Sequence, residues 1–344
     1  MLNLPNQTET LAEFSLQEKM MQMVMGFKLS QCIFVATELD IAGLLEGGAR
    51  SCDDLALATN THANSLYRLL RTLASVGIFS ESKQKHFSLN PLAYCLLKDG
   101  PASMHNFILS WRDLDYPAWG NLLHTMRTGK SAFENVHGMP RYQYIEQNPV
   151  ANEHFHRAMK ELSAARDDAI TAAYDFSSID TLVDVGGGTG SLLAAVLRKY
   201  PNMTGVLFER PEAIEKAQDV LEKADVIERC ELVAGDFLEE IPAGNGYLLR
   251  NVINTWDDEN AIKILRNCRQ AIIGQGWVFL IQTILAPEVS WTANFIDLNM
   301  LVMSSSGRVR TKEEVSKLYE AAGFQLTNII PTRTIMSLIE GRAT

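Results

Sequence analysis

Three acids stand at the ends of three successive apolar runs, and they are the residues with most chemistry to offer. Asp184 lies in Leu182-Val183-Asp184-Val185, ahead of a turn with glycine at 186, 187, 188 and 190. Glu209 closes Gly205-Val206-Leu207-Phe208-Glu209 about 25 residues on, and Asp236, followed by Phe237, closes Cys230-Glu231-Leu232-Val233-Ala234-Gly235. Glycine at 186, 188 and 190 permits positive φ and lets a ligand approach the main chain without meeting a Cβ. The dinucleotide fingerprint G-x-G-x-x-G would need glycine at 191, where Ser191 stands. A carboxylate ahead of the turn repels a pyrophosphate and suits an ammonium group.

On that reading Asp184, Gly186 and Gly188 receive the amino-acid part of a ligand, Glu209 both hydroxyls of a ribose, and Asp236 with Phe237 the amino group and face of adenine. Amino acid, ribose and adenine in series describe S-adenosylmethionine. The elements that position these groups follow from periodicity: Ser191 to Leu197 has helical spacing after the turn, and beyond residue 180 strands and helices alternate. Later runs are Gly246–Arg250 and Trp277–Ile281 (strands), Glu259–Ala271 and Lys312–Ala322 (helices), and two closing strands near Phe324–Ile329 and Thr334–Ile339. This order predicts an α/β fold, a doubly wound sheet with ligand at the strand C-termini.

A chain of 344 residues, 47% hydrophobic, suggests two domains. The net charge of -10 argues against a nucleic-acid partner. Residues 1–7 lack a basic n-region with an apolar core, and no apolar run reaches spanning length, so the expectation is a soluble cytoplasmic protein with no membrane partner. Five scattered cysteines, Cys32, Cys52, Cys95, Cys230 and Cys268, support neither disulfides nor zinc, and no His/Asp ligand spacing implies another metal.

Residues 16–45 carry helical spacing with a large apolar set that includes Met20, Met23, Val24 and Phe27, which favours burial against a second copy of the chain. Residues 51–98 read as a winged helix, capped at Ser51, with a hairpin of Gly77-Ile78-Phe79 and His86-Phe87-Ser88-Leu89. Such folds often bind DNA, which makes a ligand-responsive regulator a reading of another class. Arg68 and Arg71 sit among leucines, however, and Asp53 and Asp54 precede them, so packing between copies is favoured. The stretch 101–157 holds aromatics that could wall a pocket, Phe155 among them, together with His137, His154 and His156; His154 is taken as a candidate base. A helix over Ala158–Tyr174 leads to the glycine turn. The division is therefore 1–110 winged-helix dimerisation domain, otherwise all helical, 111–157 helical linker and pocket wall, and 158–344 cofactor-binding domain. Met159, Phe295, Asn299 and Met303 are candidate acceptor-pocket residues.

With these motifs in hand, the chain resembles the dimeric small-molecule O-methyltransferases of the caffeic acid and acetylserotonin type. The resemblance runs through Phe155-His156-Arg157-Ala158-Met159, Asp184-Val185-Gly186-Gly187-Gly188-Thr189-Gly190, Glu209-Arg210-Pro211, Gly235-Asp236-Phe237 and Trp256-Asp257-Asp258-Glu259. It implies a Rossmann-like class I methyltransferase domain, a homodimer, and cofactor contacts at Asp184, Gly186, Gly188, Glu209, Asp236, Phe237, Arg250 and Trp256. Glu209 replaces the family's usual aspartate. The family's catalytic histidine, two residues before the tryptophan, is Asn254 here; the two glutamates that steady it are Gln282 and Val309. An amide is no base near neutral pH, and a missing base forfeits about 10²–10⁴-fold in rate. The joint loss reads as one coherent change.

The same asparagine and Gly307-Arg308-Val309-Arg310-Thr311 resemble the anthracycline-tailoring subgroup, the carminomycin 4-O-methyltransferases and aclacinomycin 10-hydroxylases. That implies either methyl transfer by proximity, with Asn254 positioning the acceptor and Arg308 or Arg310 steadying an anion, or bound cofactor serving a hydroxylation or pericyclic reaction. The expected function is methylation of a small, aromatic secondary metabolite, at oxygen first and at nitrogen or carbon otherwise.

Overall fold

Seven strands, the central ones apolar and buried along nearly their whole length, build the sheet on which the three acids stand. In the computed structural model, which describes residues 15–286 and 290–344 except for the side chains at 162, 164 and 165, these are β1 (Thr181–Val185), β2 (Thr204–Glu209), β3 (Cys230–Ala234), β4 (Gly244–Arg250), β5 (Ile272–Gln282), β6 (Phe324–Pro331) and β7 (Ser337–Ala343). Residues 1–7, read above for a leader, lie outside the described residues. The strand order is β6-β7-β5-β4-β1-β2-β3. The five strands β5 to β3 are parallel, and β7 runs antiparallel to both β5 and β6. Between β1 and β4 the winding reverses, which opens a crevice at their C-terminal ends.

Alternation decides what covers each face. Val183, Val206, Tyr247, Val278 and Leu280 point to one side, where Leu265 of helix Asp258–Ala271 and Leu318 of helix Lys312–Ala322 pack on them. Leu182, Leu207, Leu248 and Phe279 point to the other, against Leu193 of helix Ser191–Lys199 and Leu221 of helix Pro211–Lys223. The result is the doubly wound α/β architecture expected from the sequence. The last strand starts three residues later than expected, at Ser337, because Thr332 closes a turn onto the carbonyl of Met336 through both its N–H and its hydroxyl.

The chain divides into two units, residues 1–117 with 145–162, and residues 118–144 with 163–344. The first unit opens on helix Leu16–Glu38, started by a capping box between Ser15 and Glu18. Phe34, Ala36 and Thr37 of this helix are buried, whereas Met20, Met23, Val24 and Phe27 are exposed. Its core is Leu55, Leu66, Leu70, Leu73, Phe79 and Phe87. The expected wing is present, with one strand more than the hairpin: Arg50–Ser51, His86–Ser88 and Ser80–Ser82 form a three-stranded antiparallel sheet. The first hairpin arm lies at Ser80–Ser82 and not at Gly77–Phe79, because Gly77 at φ +82 turns the chain out of helix Ala63–Ser75 and sends Ile78 and Phe79 into the core.

The helix before the glycine turn is Pro149–Ala173, longer than the expected 158–174. Asn148 Oδ1 accepts from the N–H of Ala151 at 3.2 Å and Pro149 takes the first helical position, a start signal that the aromatic content of the region obscures. Among the described residues, no helix is long and apolar enough to cross a membrane.

Leu248 is fully buried at the centre of the sheet. Leu248→Ala should therefore lower the unfolding free energy by about 2–5 kcal/mol, read in urea melts as a lower midpoint at unchanged slope.

Candidate functional site

The three acids meet at the C-terminal ends of β1, β2 and β3, as parallel pairing in register requires. Asp184 pairs with Leu207 across β1 and β2, and Glu209 with Ala234 across β2 and β3. A cleft of about 700 Å³ opens there, lined by Gly186, Glu209, Asp236, Phe237, Arg250 and Trp256, with Tyr142 and Val252 between them. Six of the eight cofactor residues expected from sequence thus line one cavity. The other two lie immediately behind it.

Asp184 is 1% exposed, and both of its carboxylate oxygens lack a hydrogen-bond partner among the described residues. Burial pushes its pKa up to about 7, against the pull of Arg250. An unpaired buried carboxylate is costly, and its natural complement is a cation with N–H donors. The turn is shaped around it. A Cβ at Gly187 would lie 2.5 Å from the Asp184 carboxyl, and one at Gly186, held at φ +67, would lie 2.9 Å from Val252. The acid occupies the space that a side chain on the turn would need.

Glu209 is tied to the same turn: Gly188 donates its N–H to Oε2 at 3.1 Å, and Arg210 donates to Oε1 at 2.8 Å. Each oxygen keeps a further lone pair for a ligand hydroxyl. Asp236 accepts from the N–H of Leu238 at 2.8 Å, which holds the acid at the mouth. Phe237 meets Trp256 edge to face, ring centroids 6.1 Å apart, so the two rings form an aromatic corner of the cleft.

Arg250 lines the cleft but its Nη1 donates to Asp167, a buried acid of the preceding helix. The sequence reading missed Asp167, which stands 83 positions from its partner and whose spacing carries no signal. It also missed Gly187, whose φ is ordinary and whose need is steric.

Asn254 sits in a single 3-10 turn, Ile253–Thr255, 8% exposed, with Oδ1 unpartnered among the described residues. Gln282, at the end of β5, is fully buried, and neither of its amide atoms has a partner there; Val309 is 3% exposed. The Asn254 carbonyl accepts the Arg308 N–H at 2.9 Å.

Of the two readings that sequence leaves for the arginines, a salt bridge or a substrate contact, the structure shows ion pairs. Arg308 donates from Nη1 to Glu314 at 3.0 Å and from Nη2 to Asp258 at 2.8 Å, so its charge is already neutralised by two acids. Arg310 has a fully buried side chain that donates to the carbonyls of Ile253 at 2.9 Å and Trp256 at 2.8 Å, and to Asp258 at 2.8 Å. Both arginines hold the turn that carries Asn254, and neither keeps its charge open for an acceptor anion.

Phe295, Asn299 and Met303 lie on helix Trp291–Met303 in the same unit, with Met303 buried and the other two more open. His154, Phe155 and Met159 belong to the other unit. There Asp113 accepts from His154 Nδ1 at 2.8 Å and also pairs with Arg112, which reaches Glu38. Phe155 stacks edge-on with His156. Among the described residues no group of three His, Cys, Asp or Glu could hold a metal ion.

Residues 119–325 match the O-methyltransferase domain and residues 21–99 the O-methyltransferase dimerisation domain. The chain is 36% identical to a phenazine O-methyltransferase, PhzM, of Lysobacter antibioticus, over 94% of this chain and 95% of that one. It is 34% identical to a phenazine-1-carboxylate N-methyltransferase of Pseudomonas aeruginosa, over 94% and 97%. Among solved structures it matches LaPhzM with a TM-score of 0.89 at 35% identity, over 96% of this chain and all of that one. It also matches the SAH-bound form of CalO1, a methyltransferase in calicheamicin biosynthesis, with a TM-score of 0.85 at 28% identity, over 96% and 100%.

The two arginines should separate on substitution. Arg310→Met leaves the buried carbonyls of Ile253 and Trp256 unpaired, at about 1–3 kcal/mol each, whereas Arg308→Met loses only half-exposed ion pairs, worth about 1 kcal/mol or less. Urea melts of both variants, followed by tryptophan fluorescence, check the contrast.

Proposed function

The chain belongs to the O-methyltransferase family with its own dimerisation domain, as an S-adenosylmethionine-dependent methyltransferase of small secondary metabolites, and we propose that its acceptor is aromatic and methylated at oxygen. The observation that carries the cofactor reading is the buried, unpartnered Asp184 carboxylate under the glycine turn. It would take the α-ammonium group, Glu209 the ribose hydroxyls, and Asp236 with Phe237 and Trp256 the adenine. Arg250, neutralised by Asp167, would border the amino-acid end. The cofactor supplies an activated sulfonium methyl group.

With an amide at 254, an amide at 282 and valine at 309, those positions remove no proton. We assign Asn254 the task of orienting the acceptor through its unpartnered Oδ1, so that rate comes from alignment with the methyl group. Arg308 and Arg310 brace the turn that carries it. Oxygen leads because the matched family model and the phenazine relative are O-methyltransferases; the N-methylating relatives make nitrogen the second reading. The exposed apolar face of helix Leu16–Glu38 would pair two copies, in keeping with the dimerisation match that begins at residue 21.

Incubation with methyl-labelled cofactor and an extract of the producing cells, followed by mass spectrometry, tests the activity: a labelled small molecule is expected, and its fragmentation identifies the atom methylated. Turnover of a metabolite without label would overturn the reading.

Cofactor affinity should depend on pH with a defined sign. Only ionised Asp184 attracts the ammonium group, so affinity falls as pH drops below about 7. Calorimetry with S-adenosylhomocysteine should show this acidic limb, and Asp184→Asn should lose it and bind at least about tenfold more weakly, in line with a lost charge-assisted hydrogen bond. Asn254→Ala should raise the acceptor KM and leave S-adenosylhomocysteine affinity within about twofold, since a neutral hydrogen bond to the acceptor is all it removes. Proximity also predicts that His154→Asn keeps the wild-type pH profile of kcat; a loss of about 10²–10⁴-fold would assign the base to His154 instead.

A further inference from the structure

Beside the Asn254 turn, helix Trp291–Met303 carries an oriented hydrogen-bond donor on an open aromatic wall. A Cβ at Gly307 would meet Met300 Cε at 2.7 Å and the Asn254 carbonyl at 3.3 Å, so Met300 lies against that turn, and Asn299 is its neighbour on the helix. Trp119 Nε1 donates to Asn299 Oδ1 at 2.6 Å. An indole N–H can only donate, so this bond settles which end of the amide faces the tryptophan. The Asn299 Nδ2 group is left with two N–H donors, from which none of the described residues accepts.

The surroundings are aromatic. The Trp119 and Phe295 ring centroids lie 6.2 Å apart with the planes tilted by 44°, and Phe295 and Trp291 meet edge to face, 5.9 Å apart at 80°. Phe295 and Trp291 are 54% and 64% exposed, an unusual display for large apolar side chains. Asn299 itself is half-buried.

We propose that the Trp119–Asn299 pair is a specificity device that reads a carbonyl oxygen on a flat polycyclic acceptor. This rests on the methyltransferase reading above and narrows its substrate class to hydroxylated ring systems that carry a carbonyl, quinones and aryl ketones among them. The ring stacks on one face of the cluster, Phe295, with Trp291 at its edge, and the carbonyl accepts from Asn299 Nδ2. Trp119 acts through Asn299 by forbidding the amide flip that would present an acceptor instead.

Two probes separate the parts: a hydroxyanthraquinone, and a hydroxyanthracene with its hydroxyl at the same carbon. Each is titrated calorimetrically into the full-length protein saturated with S-adenosylhomocysteine, whose own binding is measured first. Wild type should bind the quinone about threefold to tenfold more tightly than the hydrocarbon, the worth of one neutral hydrogen bond. Asn299→Leu should bind both probes alike with unchanged S-adenosylhomocysteine affinity. Trp119→Phe, which keeps a ring and removes the N–H, should reduce the preference, since either end of the amide can then turn outward. Equal binding of the two probes by wild type, binding of neither up to millimolar concentration, or a preference that survives Asn299→Leu would overturn the proposal. Failure to bind S-adenosylhomocysteine would instead strike the methyltransferase reading, and the first titration reveals it separately.

Discussion

The site depends on one carboxylate that the fold desolvates and leaves unmatched. Asp184 stands at the C-terminal end of β1, under a turn in which Gly187 makes room for its carboxyl. Burial disfavours its charge more than the nearby Arg250 guanidinium favours it, and no side-chain partner among the described residues is hydrogen-bonded to it. The turn conformation, the tie from Gly188 to Glu209 and the buried Asp167–Arg250 pair all bear on the same few ångströms around it. On the proposed reading, a cation's ammonium group would relieve that unsatisfied electrostatics.

A second centre of organisation is Asp258, at the start of helix Asp258–Ala271. It draws in Arg310, whose guanidinium continues to the carbonyls of Ile253 and Trp256, so that the turn presenting Asn254 is held from below by a fully buried cation. The side chain at position 254 can change its chemistry while the backbone stays fixed. The same brace holds whether position 254 carries an amide or another side chain, so asparagine there leaves the surrounding architecture intact.

Much of this was legible in the chain. Alternation after residue 180 predicted the strands, and the acids at their ends predicted the crevice, because parallel pairing in register must bring strand ends together. Helix Lys312–Ala322 was predicted to the residue, since Thr311 and Glu314 form a capping box and Gly323 stops the helix at φ +84. What escaped was long-range or steric. The Asp167–Arg250 pair spans two elements with no shared motif, and the need for glycine at 187 arises from a side chain three residues earlier that only the folded turn brings back. On sequence alone the arginines of Gly307-Arg308-Val309-Arg310 fit a salt bridge or a substrate contact alike, because sequence supplies their charge but not the acids that pair with it. The wing strand slipped because Ile78 and Phe79 have strand-like side chains at a position where the core claims them.

The uncharged character of positions 254, 282 and 309 also bears on how such an enzyme would fit into metabolism. Where those positions take no proton from the acceptor, the acceptor's own acidity sets how much of it is reactive. A vinylogous acid or an electron-poor phenol is ionised at neutral pH and an ordinary alcohol is not. Selectivity among hydroxyls of one molecule then follows their acidity order, and any earlier step that installs or removes an electron-withdrawing group would switch methylation on or off without touching the protein.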